Sequence, residues 1–291
     1  MTQGRISLIK YSLVLVIIAA LLSPGALYAA QESTLTADNL NYNTNTKKIS
    51  AKGNVVIKHD GATLTGDVAD GNTDKEEFEL TGNVKGSFPK EKIEITSAEM
   101  IKWSRGTDPK SDGVAEATGH VRMTKGAGDY LNADYVRWEM GTENYLARGN
   151  VDGLMEGKLM KAQESGRTGD KFWGREVARF EDTVKKMSIS AKTVDGAMDK
   201  QSVSEAVAKE NVVMEYFDKE GLKTVVTGKT AVYSRARGTA VVSGGAKAVR
   251  SDGKTITADS LVVHEDSRIV EGIGNSRITV IMQDKNKKTG K

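Results

Sequence analysis

The chain has 291 residues, with 42 Lys or Arg against 39 Asp or Glu, three His and no Cys. A formal charge of +3 with no concentrated basic stripe excludes the electrostatic footprint of a nucleic-acid binder, and the missing cysteines remove disulfides, thiolate catalysis and cysteine metal sites together. Aromatics at 5% and 30 glycines suit a long sheet with many tight turns rather than a dense globular core.

Residues 1–30 have the layout of a secretory signal peptide: Arg5 and Lys10, an apolar run from Tyr11 to Leu22, a break at Ser23-Pro24-Gly25, then small residues up to Ala30. The run is about half of the roughly 20 residues that cross a bilayer as a helix, and it becomes a marginal span only when extended to Ala30. Cleavage is therefore the first expectation and retention as an inner-membrane anchor the second. Without this segment the net charge falls to about +1.

From residue 31 the chain repeats. Gly53-Asn54-Val55, Gly82-Asn83-Val84, Gly119-His120-Val121 and Gly149-Asn150-Val151 are followed by weaker copies at Glu210-Asn211-Val212, Gly244-Gly245-Ala246 and Gly274-Asn275-Ser276. The intervals are 29, 37, 30, 61, 34 and 30 residues, so one unit inside the 61 has lost its signature. A second half-motif alternates with the first, at Leu35 to Asp38, Leu64 to Asp67, Ile95 to Ala98, Leu131 to Asp134, Leu159 to Ala162, Ile189 to Lys192, Val226 to Lys229 and Ile256 to Asp259.

Apolar and polar residues alternate one on and one off through these segments, as in Ile49 to Ile57, which is the period of strands with one buried face. Propeller blades need about 40 or more residues each. The expectation is an all-β, elongated, open jellyroll of about eight repeats of roughly 30 residues, with two facing antiparallel sheets. Repeats one to five occupy 31–163, a polar and degenerate segment at 164–186 marks a possible lobe boundary, the repeats continue over 187–282, and 283–291 reads as a disordered basic tail. Lys171 to Met187 is the least strand-like stretch, and Val177, Phe180 and Val184 are compatible with a short amphipathic helix or an irregular strand.

The alternation sends Ile49, Val55, Ile57, Leu64, Val68, Phe78, Leu80, Val84, Ile95, Val121, Met123, Leu131, Val151, Val242 and Ile256 inward. Small residues interleave with them, where two sheets about 10 Å apart ordinarily need bulk. Either the sheets approach closely in a dry structural solenoid, or an apolar groove runs along the body. Such a groove suits acyl chains, each methylene of which costs about 0.8 kcal/mol in water. The terminal strands Thr34 to Tyr42 and Arg277 to Met282 carry little edge protection, which favours head-to-tail β-augmentation.

Catalytic patterns are missing. His59, His120 and His264 lie in different units with no second histidine at metal-ligand spacing, and Thr227 to Thr230 lacks the glycine and the strand-to-helix turn of a phosphate loop. Asp38, Asp67, Asp134 and Asp259 recur in register but give way to Ala98, Ala162, Lys192 and Lys229, which argues for a turn or solvent-facing role. No catalytic residue, metal site or cofactor is expected.

The pairing of Leu35 to Tyr42 with Ile49 to Ile57, repeated as Leu131 to Val136 with Ala147 to Val151, resembles the OstA-like β-jellyroll family of lipopolysaccharide transport, most closely its periplasmic bridge members, over residues 33–282. The resemblance implies a V-shaped jellyroll, open along one side, in which the inward residues named above contact lipid A acyl chains of lipopolysaccharide. It further implies a non-enzymatic periplasmic protein joined head to tail with its own copies, an LptC-like inner-membrane jellyroll and an LptD-like outer-membrane translocon. Eight units exceed the usual short bridge protein, which points to a double-length bridge or an anchored LptC-like unit fused to one.

Overall fold

The computed structural model describes residues 15–17, 33–59, 61–90, 92–105, 113–126, 128–140, 142, 144–199 and 202–280. The expected signal peptide and the basic tail otherwise lie outside these residues. The described residues form strands β1 (Leu15–Ile17), β2 (Ser33–Thr36), β3 (Asn39–Asn43), β4 (Lys48–His59), β5 (Ala62–Asn72), β6 (Glu77–Phe88), β7 (Ile93–Ser104), β8 (Val114–Lys125), β9 (Asp129–Glu139) and β10 (Tyr145–Met155). They continue as β11 (Lys158–Thr168), β12 (Lys171–Asp182), β13 (Met187–Asp199), β14 (Ser202–Phe217), β15 (Lys223–Ser234), β16 (Thr239–Arg250), β17 (Thr255–His264), β18 (Val270–Ile273) and β19 (Arg277–Thr279).

All nineteen join one antiparallel sheet in which each long strand pairs with the next in sequence. The β2 and β3 strands lie end to end along β4, and β18 and β19 do the same along β17, so each pair is one interrupted strand. Apart from β1, which pairs with β2 over three residues, the sheet has sixteen strand places, hence eight two-strand units. At about 4.8 Å per step the sheet runs roughly 70 Å.

The recurring Gly-Asn pair makes a corner in the middle of a strand. Gly53 and Asn54 have φ of 78° and 47°, Gly82 and Asn83 77° and 51°, and Gly149 and Asn150 72° and 50°. Two successive left-handed residues insert one extra residue into the strand, and the register shifts there, between Lys52 and Val55 for example. The aspartate of the other half-motif completes the corner. Asn54, Asn83, Asn150 and Asn275 each donate Nδ2–H to Oδ2 of Asp38, Asp67, Asp134 and Asp259, at 2.8 to 2.9 Å. Glycine is required beside it, because a Cβ on Gly82 would stand 2.5 Å from Asp67 Oδ2. The recurring carboxylates are therefore corner struts.

The corners fold the sheet on itself. Phe172 and Phe180, eight residues apart on β12, would be about 26 Å apart along a straight strand, yet their ring centroids are 5.3 Å apart. The two facing sheets expected from the sequence are thus two wings of one continuous sheet, and side chains from both wings enter the same core.

The partner strand crosses the corner with no extra residue and reverses its inward parity. On β5, Leu64 is buried before the corner and Ala69 after it. Val68, expected inward, instead pairs with exposed Lys52 and with Thr81, so it lies on the outer face, and Ala69 takes its place against Ala51 and Leu80.

The degenerate unit is also a strand. The stretch from Lys171 to Asp182 pairs on both sides, with no helix, and Glu176 alone is left-handed (φ 48°) where other units have two successive left-handed residues. Its register is irregular between Val177 and Phe180. That single corner residue accounts for the double interval between Gly149 and Glu210.

Burial divides the interior in two. One cluster runs from Leu35 to Val151 and a second from Ala162 to Val263, meeting between β10 and β11 although the sheet continues through the seam.

Candidate functional site

Each long strand runs from one rim of the folded sheet through the corner to the other rim. The turns at 73–76, 235–238 and 265–269 lie on one rim, and the turns at 183–186 and 218–222 on the opposite one. The mouth of the jellyroll lies between these rims, and its two halves are closed by different chemistry.

In the first half the rims meet through aromatic rings. Phe88 packs edge-on against Trp138 at 5.9 Å, and His59 lies 6.4 Å from Trp103, which stacks on Phe78 at 5.5 Å. Beneath them, Leu80, Val84, Ile95, Ile101, Val121 and Val136 are at most 2% exposed. Leu80, Ile101 and Val136 share one cross-strand row with Ala51, Ala69 and Ala117, and Val84, Ile95 and Val121 enter the same core from the other wing.

In the second half the space is not filled. A cavity of about 120 Å³ opens inside the second cluster, walled by Phe180, Ile189, Val194, Met214 and the small residues Ala206, Ala208, Ala231 and Ala240. Another of about 80 Å³ lies at the seam, lined by Tyr145, Val151, Met160, Phe172, Trp173 and Met198 among others. The two share Lys158 and Phe180, so they adjoin along the body. Burial pushes the Tyr145 phenol up, so it stays neutral in the seam.

The mouth over the first of these cavities is held by charge. Lys185 Nζ, in the β12–β13 turn, is paired with Glu265 Oε1 in the β17–β18 turn on the opposite rim. Glu265 is buried and also accepts from Tyr233 Oη at 3.0 Å. Arg268 donates to the Lys185 carbonyl at 2.8 Å and lies 5.6 Å over the Tyr216 ring, so it too bridges the rims. Burial works against the Lys185 ammonium, but the hydrogen bond and charge of Glu265 outweigh it and its pKa stands above the ordinary lysine value. Burial, then the Glu265 carboxylate, raises the Tyr233 phenol. Lys158 and Asp182 form a second partly buried pair at 3.2 Å where the cavities adjoin.

Of the inward residues expected from the sequence, all but Val68 lie in or against the two clusters. Most belong to the filled first half, and among them Leu131 and Val151 line the seam cavity. The cavity walls of the second half were missed, because the alternation finds the buried face but not whether the opposite wing fills it. The available signal was the run of alanines at 206, 208, 231 and 240 together with Met187 and Met214.

An eight-unit folded antiparallel sheet with an apolar interior that retains cavities is the open jellyroll that the resemblance to the OstA-like family implies. Sequence comparison agrees: residues 16–89 match the family described as lipopolysaccharide-assembly, LptC-related. Among solved structures the chain is similar to LptH of Pseudomonas aeruginosa, described as the LptA homologous periplasmic component of the conserved lipopolysaccharide transport device. Identity is 16%, covering 53% of this chain and 94% of that one, with a TM-score of 0.31. No curated protein matches the chain by sequence.

Proposed function

We propose that this protein carries lipopolysaccharide between the two membranes of the cell envelope by covering lipid A acyl chains in its interior, without an enzymatic step. The observation that supports this most is the apolar interior itself: it keeps two adjoining cavities where a purely structural solenoid gains stability by filling them. End-to-end association with copies of itself and with LptC-like and LptD-like jellyrolls is the natural use of its edges. The terminal edge presents Ile273 and Ile278 at 55% and 65% exposure beside the short strand β19.

A photoreactive residue at Met214, in the cavity wall, crosslinks to lipopolysaccharide in cells under this reading, whereas one at Lys52, on the outer face, does not. Equal crosslinking at both positions, or none at Met214, defeats it.

A second reading, an inner-membrane-anchored LptC-like unit continuous with a bridge unit, is favoured by the position of the family match at residues 16–89 and by the division of the interior between β10 and β11. Among the described residues no helix is long and apolar enough to cross a membrane. Cell fractionation with mass-spectrometric determination of the N-terminus separates the two readings. An intact Met1 in the membrane fraction supports the anchored form, and a soluble start near Gln31 supports the free carrier.

A further inference from the structure

The contacts that hold the rims together over the larger cavity have an unusual composition. Lys185, Glu265, Tyr233 and Arg268 come from turns and strand ends on opposite sides of the mouth, 80 or more residues apart for the Lys185–Glu265 and Arg268–Lys185 contacts. Below them the cavity wall is apolar, and its charged members sit at its edge, already paired with one another. A chain of methylenes fits such a wall, which offers a polar solute only the hydroxyls of Ser188 and Ser202 besides charges that are already paired.

The closure is also imperfectly satisfied. Arg268 Nη1 is buried without a hydrogen-bond partner, so closing the rims leaves one donor unmet that water would satisfy on opening. Aromatic closure in the other half has no such opposing term. Ion pairs trade protein partners for water with little net change, whereas separating buried rings exposes apolar area to water.

We propose that the Lys185–Glu265–Arg268 clasp is a lateral gate, and that an alkyl chain enters and leaves the cavity in the second half when these rims part. The inference rests on the carrier reading for its occupant but not for its motion, so the two are tested apart.

The motion is read without lipid. The chain lacks cysteine, so Val194→Cys places a single thiol in the cavity wall at a position 1% exposed in the closed protein. Its rate of modification by a water-soluble thiol reagent reports opening. Adding Glu265→Gln is expected to raise that rate about tenfold, with the circular dichroism spectrum unchanged. An unchanged rate overturns the gate.

The occupant is read with a lock. In the double variant Lys185→Cys, Glu265→Cys, a short bis-maleimide bridges the two rims, so the bridged and unbridged forms of one folded protein are compared for binding of a fluorescent long-chain fatty acid. Binding to the unbridged form and about tenfold slower uptake by the bridged form is the expected result. Equal uptake by both overturns the gate and leaves the carrier reading standing. If neither these forms nor the native protein takes up the probe, the alkyl-chain assignment and the carrier reading fall together.

Discussion

The two halves of this jellyroll share one sheet and one repeat, yet they close differently. The first packs Phe88 on Trp138 and Trp103 on Phe78 over a filled core, while the second ties Lys185 to Glu265 over a cavity. The difference teaches that a repeat sets backbone geometry and leaves the interior to side-chain volume. In the first half Leu80 and Ile101 add bulk to the row of alanines on one wing and the core is dry, whereas in the second half Ala206, Ala208, Ala231 and Ala240 crowd one wing beside Val194 and leave room.

The largest effect is expected from a charge in the filled half. Leu80→Asp buries a carboxylate at a 0% exposed site and should abolish the cooperative thermal transition. Even Leu80→Ala should cost about 2–5 kcal/mol in urea titration. If Leu80→Asp melts like the parent protein, the first half is not a closed core and the comparison fails.

Overpacking sharpens the contrast. Ala117→Leu, at a 0% exposed position of the first half, should destabilise by about 1–3 kcal/mol. The same change at Ala240, on the cavity wall, should cost less than about 1 kcal/mol and displace a bound alkyl probe. Equal costs in both halves would show that the cavity is not usable space.

The clasp should respond to alkali and not to neutral pH. Lys185 and Tyr233 both have folded pKa values above their unfolded ones, so their stabilisation is complete below about pH 10 and is lost as pH rises through the folded values. Labelling of a cysteine at position 194 should therefore be flat from about pH 7 to 9, after correction for thiol ionisation, and rise above about 10.5. With Lys185 40% exposed in its side chain, solvent screening limits the pair to about 1–2 kcal/mol.

The smallest effect is a gain at a corner. Glu210 has φ 61°, a conformation that costs a side chain about 1 kcal/mol, and its pair with Lys192 is exposed. Glu210→Gly, which restores the glycine-asparagine pair, should stabilise by about 0.5 kcal/mol, measured as a shift of the urea midpoint. A loss of stability would mean that the Lys192 pair matters more than the backbone.

Much of the fold was legible from residues alone. The eight half-motifs fall on β2 and the odd strands from β5 to β17, and the glycine-asparagine copies fall on the strands between them, because alternation of period two reports a half-buried strand whatever its partner. Asp38 shows the limit. Its recurrence in register with Gly53 was visible, but its bond to Asn54 was not, since the two meet only when the strand bends at left-handed residues. Val68 fails for the same reason: parity counted along a straight strand is wrong beyond a corner. Phe180 and Val177 looked as helical as strand-like because three-residue spacing on a cornered strand resembles a helical period.

The sequence by itself determined the all-β class, the two-strand unit and its eightfold recurrence, since each rests on local patterning and on glycine where a Cβ does not fit. Only the tertiary structure decided that the wings belong to one sheet, that the core divides between β10 and β11, and that Lys185 meets Glu265 across the mouth. Those outcomes depend on which side chains from distant strands share a volume once the corners fold, and no local period records that.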